Sequence, residues 1–222
     1  MPLLGWLVGG AGAGVFVLLQ RTAAPKSLTL GIALGASLVI SRGLHERGFA
    51  SLCDAFGGGW TREQVMRILG DARVGSYGVV GLVLLMLLEY RLLLNLSEQF
   101  LPWMIIAGHC LGRWSISLTM GAMEPAETPA PERPSRGDLL LAFAFVLPPL
   151  LVVGVHYPLL LTAILLVLLI SRAARKPMHA KTGGYVRAGL STTFVTTRVA
   201  VYMLALIALK FPSPDGMFWK FF

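Results

Sequence analysis

The run Gly78-Val79-Val80-Gly81-Leu82-Val83-Leu84-Leu85-Met86-Leu87-Leu88 contains no charged or polar side chain. It lies within a longer apolar stretch, from Tyr77 to about Leu94, whose reading decides the fold class. A run of about 18 apolar residues reads as a helix crossing a membrane, because lipid offers no partner for a free backbone N–H or C=O. Similar runs lie on either side: Pro2 to Leu19, Ser27 to Leu44, Phe100 to Met120, Leu139 to Val155, Leu159 to Ile170 and Gly189 to Leu209. The composition agrees, since 55% of the 222 residues are apolar and only 14% are charged, against roughly 25% charged in a soluble domain. The expectation is an all-α, polytopic membrane helix bundle of about seven spans, forming a single unit over residues 1–222.

The formal charge is +8. Basic residues gather at the cytoplasmic ends of membrane spans without any nucleic-acid partner, so none is expected. One set of loops carries Arg42, Arg47, Arg62, Arg67, Arg73, Arg133, Arg136, Arg172, Arg175, Lys176, Lys181 and Arg187. The opposite set carries only Arg21, Lys26 and Arg91. The first set is therefore cytoplasmic, placing polar loops 45–76 and 172–188 together on that side. Residues 123–138, rich in Pro, Glu and Ala, suit a disordered-like loop. Pro148-Pro149 predicts a break or kink in its span. The first apolar run lacks the charged start and cleavage site of a signal peptide and reads as a retained span. Its glycines, Gly10 and Gly14 among them, allow close helix packing. Phe218, Trp219, Phe221 and Phe222 give the tail an interfacial aromatic character. Cys53 and Cys110 form no CxxC, so neither a zinc site nor a disulfide framework is indicated. No span carries an acid at its middle, which argues against a transporter's proton relay.

Chemistry concentrates between Arg42 and Gly78. His45, Glu46 and Asp54 are the first candidates, because carboxylates at a membrane surface suit Mg2+, which takes a few oxygens plus substrate phosphates. From spacing alone, pairing of these acids with Arg42, Arg47 or Arg73 is the favoured reading. Gly57-Gly58-Gly59 lacks a following Gly-Lys-Ser/Thr and reads as a hinge rather than a phosphate loop. Thr61, with Gln64 three residues on, marks the capped start of a short amphipathic helix. Asp71 and Arg73 could bind a metal-bound phosphate or simply pair with each other. His109 and Arg113, four apart, share a helix face, and an intramembrane Arg needs a polar partner. His156 and His179 are isolated in loops.

These residues carry a resemblance. Gly43-Leu44-His45, Gly48, Asp54, Gly57-Gly58-Gly59, Arg62-Glu63, Asp71, Arg73, Gly75, Tyr77 and Gly78 match the pattern of the cobalamin synthase family (adenosylcobinamide-GDP ribazoletransferase). Gly183-Gly184-Tyr185 matches the start of that family's C-terminal glycine signature, and Arg113 the Arg of its mid-chain helix. The resemblance implies a bacterial inner-membrane enzyme joining α-ribazole or its phosphate to adenosylcobinamide-GDP, with Mg2+, and releasing GMP. It implies catalytic roles for His45 and Asp54 and metal ligation by Glu46, Asp54 and Asp71. It implies substrate binding by Arg73, Gly75, Arg113, Gly183 and Gly184.

The departures are as informative. This chain resembles an N-terminally short member in which Arg47 and Ser51 stand where the family has its first two motif aspartates. Val186-Arg187-Ala188 stands for Thr-Gly-Asp, and Thr197-Arg198 for Thr-Glu. Exchanging Asp for Arg turns attraction for a cation into repulsion, about 4 kcal/mol at roughly 4 Å and an effective dielectric of about 20. The expectation is a non-catalytic or impaired member, a structural or assembly subunit alongside membrane lipids and other membrane-complex subunits. The alternative is an active transferase that uses Mg2+, cobinamide-GDP and ribazole.

Overall fold

The computed structural model describes residues 3–129, 132–155 and 157–209. The expectations for His156 and for the aromatic tail lie outside the described residues. Among the described residues nine α-helices form: α1 Leu3–Gln20, α2 Lys26–Ser41, α3 Leu44–Gly58, α4 Arg62–Leu69, α5 Ser76–Leu94, α6 Leu101–Gly121, α7 Arg136–Gly154, α8 Ala163–Thr182 and α9 Arg187–Ala208. A 3-10 turn, Pro158–Thr162, leads into α8. The fold is all-α and polytopic.

Five helical units are long and apolar enough to cross a membrane: α1, α5, α7, the turn with α8, and α9. The pair α2–α3 makes a sixth if counted as one span, bent by 84°. The bend falls at Arg42 and Gly43, which both take left-handed backbone (φ 53° and 57°). On α5, Leu85 is buried while neighbouring Leu84 is 61% exposed. Leucine thus covers both the protein-facing and the outward side, as a lipid-facing helix requires. Leu18, Val39, Val80, Leu140 and Leu165 extend the exposed apolar belt.

Helix α6, with His109, Arg113 and several hydroxyls, is not among the helices long and apolar enough to cross a membrane. It lies at the centre, packed against α1, α7, α8 and α9, and most of it is buried. Its polar groups therefore meet protein rather than lipid. The core around it is built from Phe16, Leu30, Leu101, Ile105, Leu111, Val146 and Tyr202. The close α1–α6 approach rests on Gly5 and Gly9. A Cβ at Gly9 would stand 2.9 Å from the Ile106 Cα, and one at Gly5 3.1 Å from the Cys110 Cα. Gly10 and Gly14, the pair legible in the sequence, face open space instead.

Three local expectations change. Helix α7 continues through Pro148 and Pro149, so the pair does not break it. Pro149 has no N–H for the Phe145 carbonyl one turn back, and the Trp6 indole N–H donates to that carbonyl at 2.9 Å. A neighbouring helix thus supplies the missing donor. Residues 45–58 form a helix packed against α5 and α9 rather than a surface loop. Its inner face is small and apolar, with Ala50 and Ala55 fully buried. Within the stretch expected to be disordered-like, Pro125 forms a parallel bridge with Tyr185. The Tyr185 N–H donates to the Glu124 carbonyl at 2.8 Å, and the Ala126 N–H to the Tyr185 carbonyl at 2.9 Å. The capping box at Thr61 and Gln64 forms as the sequence indicates.

Candidate active site

The first turn of α3 points inward. His45 stacks on the Phe194 ring of α9, with centroids 3.9 Å apart and planes inclined by 19°. His109 of α6 approaches the same ring at 5.7 Å. The guanidinium carbons of Arg113 and Arg198 lie 5.7 and 5.3 Å from its centroid. One aromatic ring is thus surrounded by two imidazoles and two guanidiniums, an arrangement its negative faces favour.

Beside this ring, Arg198 Nη2 donates to Glu46 Oε1 at 2.9 Å and to Glu89 Oε2 at 2.7 Å. Arg198, Glu46 and Glu89 are each at most 5% exposed. Removing three charges from water is costly, and close pairing offsets that cost. A small cavity of about 20 Å³ borders Glu46, Glu89, His109 and Arg198, room for one water. Both His45 ring nitrogens, Glu46 Oε2, His109 Nδ1, Arg113 Nε and Tyr202 OH are buried without a protein hydrogen-bond partner among the described residues. The cluster is polar, enclosed and mixed in charge, with two guanidiniums and two carboxylates.

The remaining candidates lie in three separate places. Asp54 accepts the Gly75 N–H at 2.7 Å and the Gly78 N–H at 2.8 Å, one on each carboxylate oxygen. It therefore caps the start of α5, where free N–H groups and the helix dipole favour an anion. Gly75 is the N-cap residue of α5, held through that backbone bond. Asp71 is gripped in fork fashion by exposed Arg73, with the closest contact 2.8 Å. These hydrogen bonds hold its carboxyl well below the usual range, at about 2. Gly183 ends α8 in a left-handed conformation, φ 81°, which an L side chain rarely adopts. Gly184 packs against the Glu124 carbonyl. Lys181 donates to the Phe56 and Gly59 carbonyls at 3.3 and 3.4 Å, joining the end of α8 to the triple glycine.

Glu46, Asp54 and Asp71 therefore engage three different partners. Among the described residues no group of three or more His, Cys, Asp or Glu side chains could hold a metal ion. Mg2+ takes one or two carboxylates together with waters and substrate phosphates, and Glu46, Asp54 and Asp71 each already hold a protein partner. Positions 47, 51 and 54 share one stripe of α3 by their spacing. Only Asp54 carries charge of the required sign there. His45, Glu46, His109 and Arg113, by contrast, meet in one cluster.

Two members of that cluster, Glu89 and Arg198, were not assigned together from the sequence. Glu89 is a buried acid on α5, toward the C-terminal end of the helix rather than at its middle. The available signal was the presence of two opposite charges inside apolar runs, each needing a partner.

A family model described as cobalamin-5-phosphate synthase matches residues 1–209. The adenosylcobinamide-GDP ribazoletransferase of Shewanella pealeana is 32% identical over 217 residues, covering 92% of this chain and 82% of that protein. That of Leptospira interrogans is 37% identical over 123 residues, 54% of this chain and 46% of that protein. That of Ralstonia pickettii is 31% identical over 160 residues, 69% of this chain and 62% of that protein. The chain thus spans less than two thirds of the length of the last two. No solved structure matches it. With the family model covering nearly the whole chain, the protein belongs to the cobalamin-5-phosphate synthase family.

Proposed function

We propose that this protein keeps the cobalamin synthase fold without metal-dependent transfer activity, and serves as a structural or assembly subunit in a bacterial inner membrane. One observation carries this reading: Arg198 stands inside the His45–Phe194 cluster and engages Glu46 and Glu89. A guanidinium at that point repels a divalent cation and takes up the acids that would attract one. Asp54 is committed to α5, and Asp71 to Arg73. In this reading 45–76 and 172–188 face the cytoplasm, and the partners are lipids and other membrane subunits.

The second reading is an active transferase acting on adenosylcobinamide-GDP and ribazole with Mg2+. The names of the relatives support it, above all the one aligned over 92% of the chain. Complementation separates the two readings. A cobalamin-synthase deletion strain expressing this chain should make no cobalamin from cobinamide. Mild-detergent extracts of the natural host should yield the chain in a complex with other proteins. Restored cobalamin together with a solitary protein would establish the second reading.

A further inference from the structure

Helix α8 carries one continuous stripe with two chemistries. Leu165, Leu168 and Leu169 lie outward, 58%, 42% and 54% exposed. At three- and four-residue spacing the same stripe continues through Arg172, Arg175, Lys176 and His179. These four basic residues line an open depression of about 850 Å³, bordered on its other side by Met123 and Glu124. Glu124 forms an ion pair with Arg133 at 2.8 Å, which offsets its charge toward the cavity. Arg175 is half-buried, and its Nε has no protein partner among the described residues. Basic residues at the end of a span need no special ligand when they face open water. Here they line one side of a single open depression that begins about one helical turn beyond an exposed leucine surface.

We propose that this pocket binds the phosphate of an anionic phospholipid, with its acyl chains lying along Leu165, Leu168 and Leu169. The guanidiniums of Arg172 and Arg175 match phosphate geometry, and Lys176 adds a point charge. The leucines select an amphiphile over a free phosphate. This inference is independent of whether the protein catalyses transfer, because its measurement reads lipid occupancy rather than turnover.

Native mass spectrometry of the protein extracted with equal phosphatidylglycerol and phosphatidylcholine tests it. Wild type should retain phosphatidylglycerol preferentially, and the triple variant R172Q/R175Q/K176Q should lose at least about tenfold of that preference. Arg67→Gln, on exposed α4, should leave the preference unchanged. A parallel titration uses sodium pyrophosphate and protein in phosphatidylcholine nanodiscs. No phosphatidylglycerol preference, or one that the triple variant leaves intact, overturns the proposal. So does pyrophosphate binding that depends on these residues while the lipid preference does not.

Discussion

Arg198 and Glu46 stand 152 residues apart in the chain and 2.9 Å apart in the fold, with Glu89 closing the triad at 2.7 Å. This triad joins α3, α5 and α9 at the point where the sequence places its chemistry. Breaking it from the cationic side leaves two carboxylates buried without a partner. Arg198→Met should therefore lower stability by about 3–5 kcal/mol. The triple variant E46Q/E89Q/R198M, which removes all three charges, should recover most of that loss. Thermal unfolding in detergent measures both, and an unchanged midpoint for the single variant would contradict the triad's role.

Asp54 makes a separate prediction, because its two bonds define a helix cap rather than a metal ligand. Asp54→Ala should cost about 1–2 kcal/mol and accelerate amide hydrogen exchange at Gly75 and Gly78. The Arg198 triad should stay intact. If exchange at the two glycines is unaltered, Asp54 is not what holds the start of α5.

The Asp71–Arg73 fork can be followed by pH. With its carboxyl held at about 2, Asp71 stays ionised through the range where an ordinary aspartate titrates, near about 3.9. A depressed value means the interaction is complete above about 3.9 and is lost as pH falls through about 2. Carboxyl carbon NMR should give a midpoint near about 2 in wild type and near about 3.9 in Arg73→Ala. Both side chains reach solvent, so global stability should scarcely change.

The Trp6 indole bond to the Phe145 carbonyl substitutes for the N–H that Pro149 lacks. Trp6→Phe should cost about 1 kcal/mol from the lost hydrogen bond. In a Pro149→Ala background the cost should shrink, since residue 149 then supplies its own N–H. Equal losses in both backgrounds would show that Trp6 acts by packing alone.

The membrane fold was legible because lipid permits little besides helices, and apolar runs such as Gly78–Leu88 leave no other reading. The Thr61–Gln64 cap was legible for a similar reason, being decided within four residues. What was hidden depends on facing rather than composition. Nothing local tells Gly9, pressed on Ile106, from Gly10, which meets nothing. The depth of α3 was hidden because its polar residues suggest a loop. His45, Glu46 and Asp54 are nevertheless internal, and Glu46 pairs with a guanidinium arriving from α9. The continuity of α7 across Pro148-Pro149 likewise required a donor from α1, at a separation of 139 residues.

GMP release tests the proposed loss of metal-dependent transfer most directly. The purified protein in liposomes would be given adenosylcobinamide-GDP, α-ribazole and Mg2+, with the Shewanella pealeana relative run in parallel. The account predicts that this chain releases no GMP above the protein-free rate under conditions where the relative turns over. Mg2+-dependent GMP release by this chain, abolished by chelation, would contradict it.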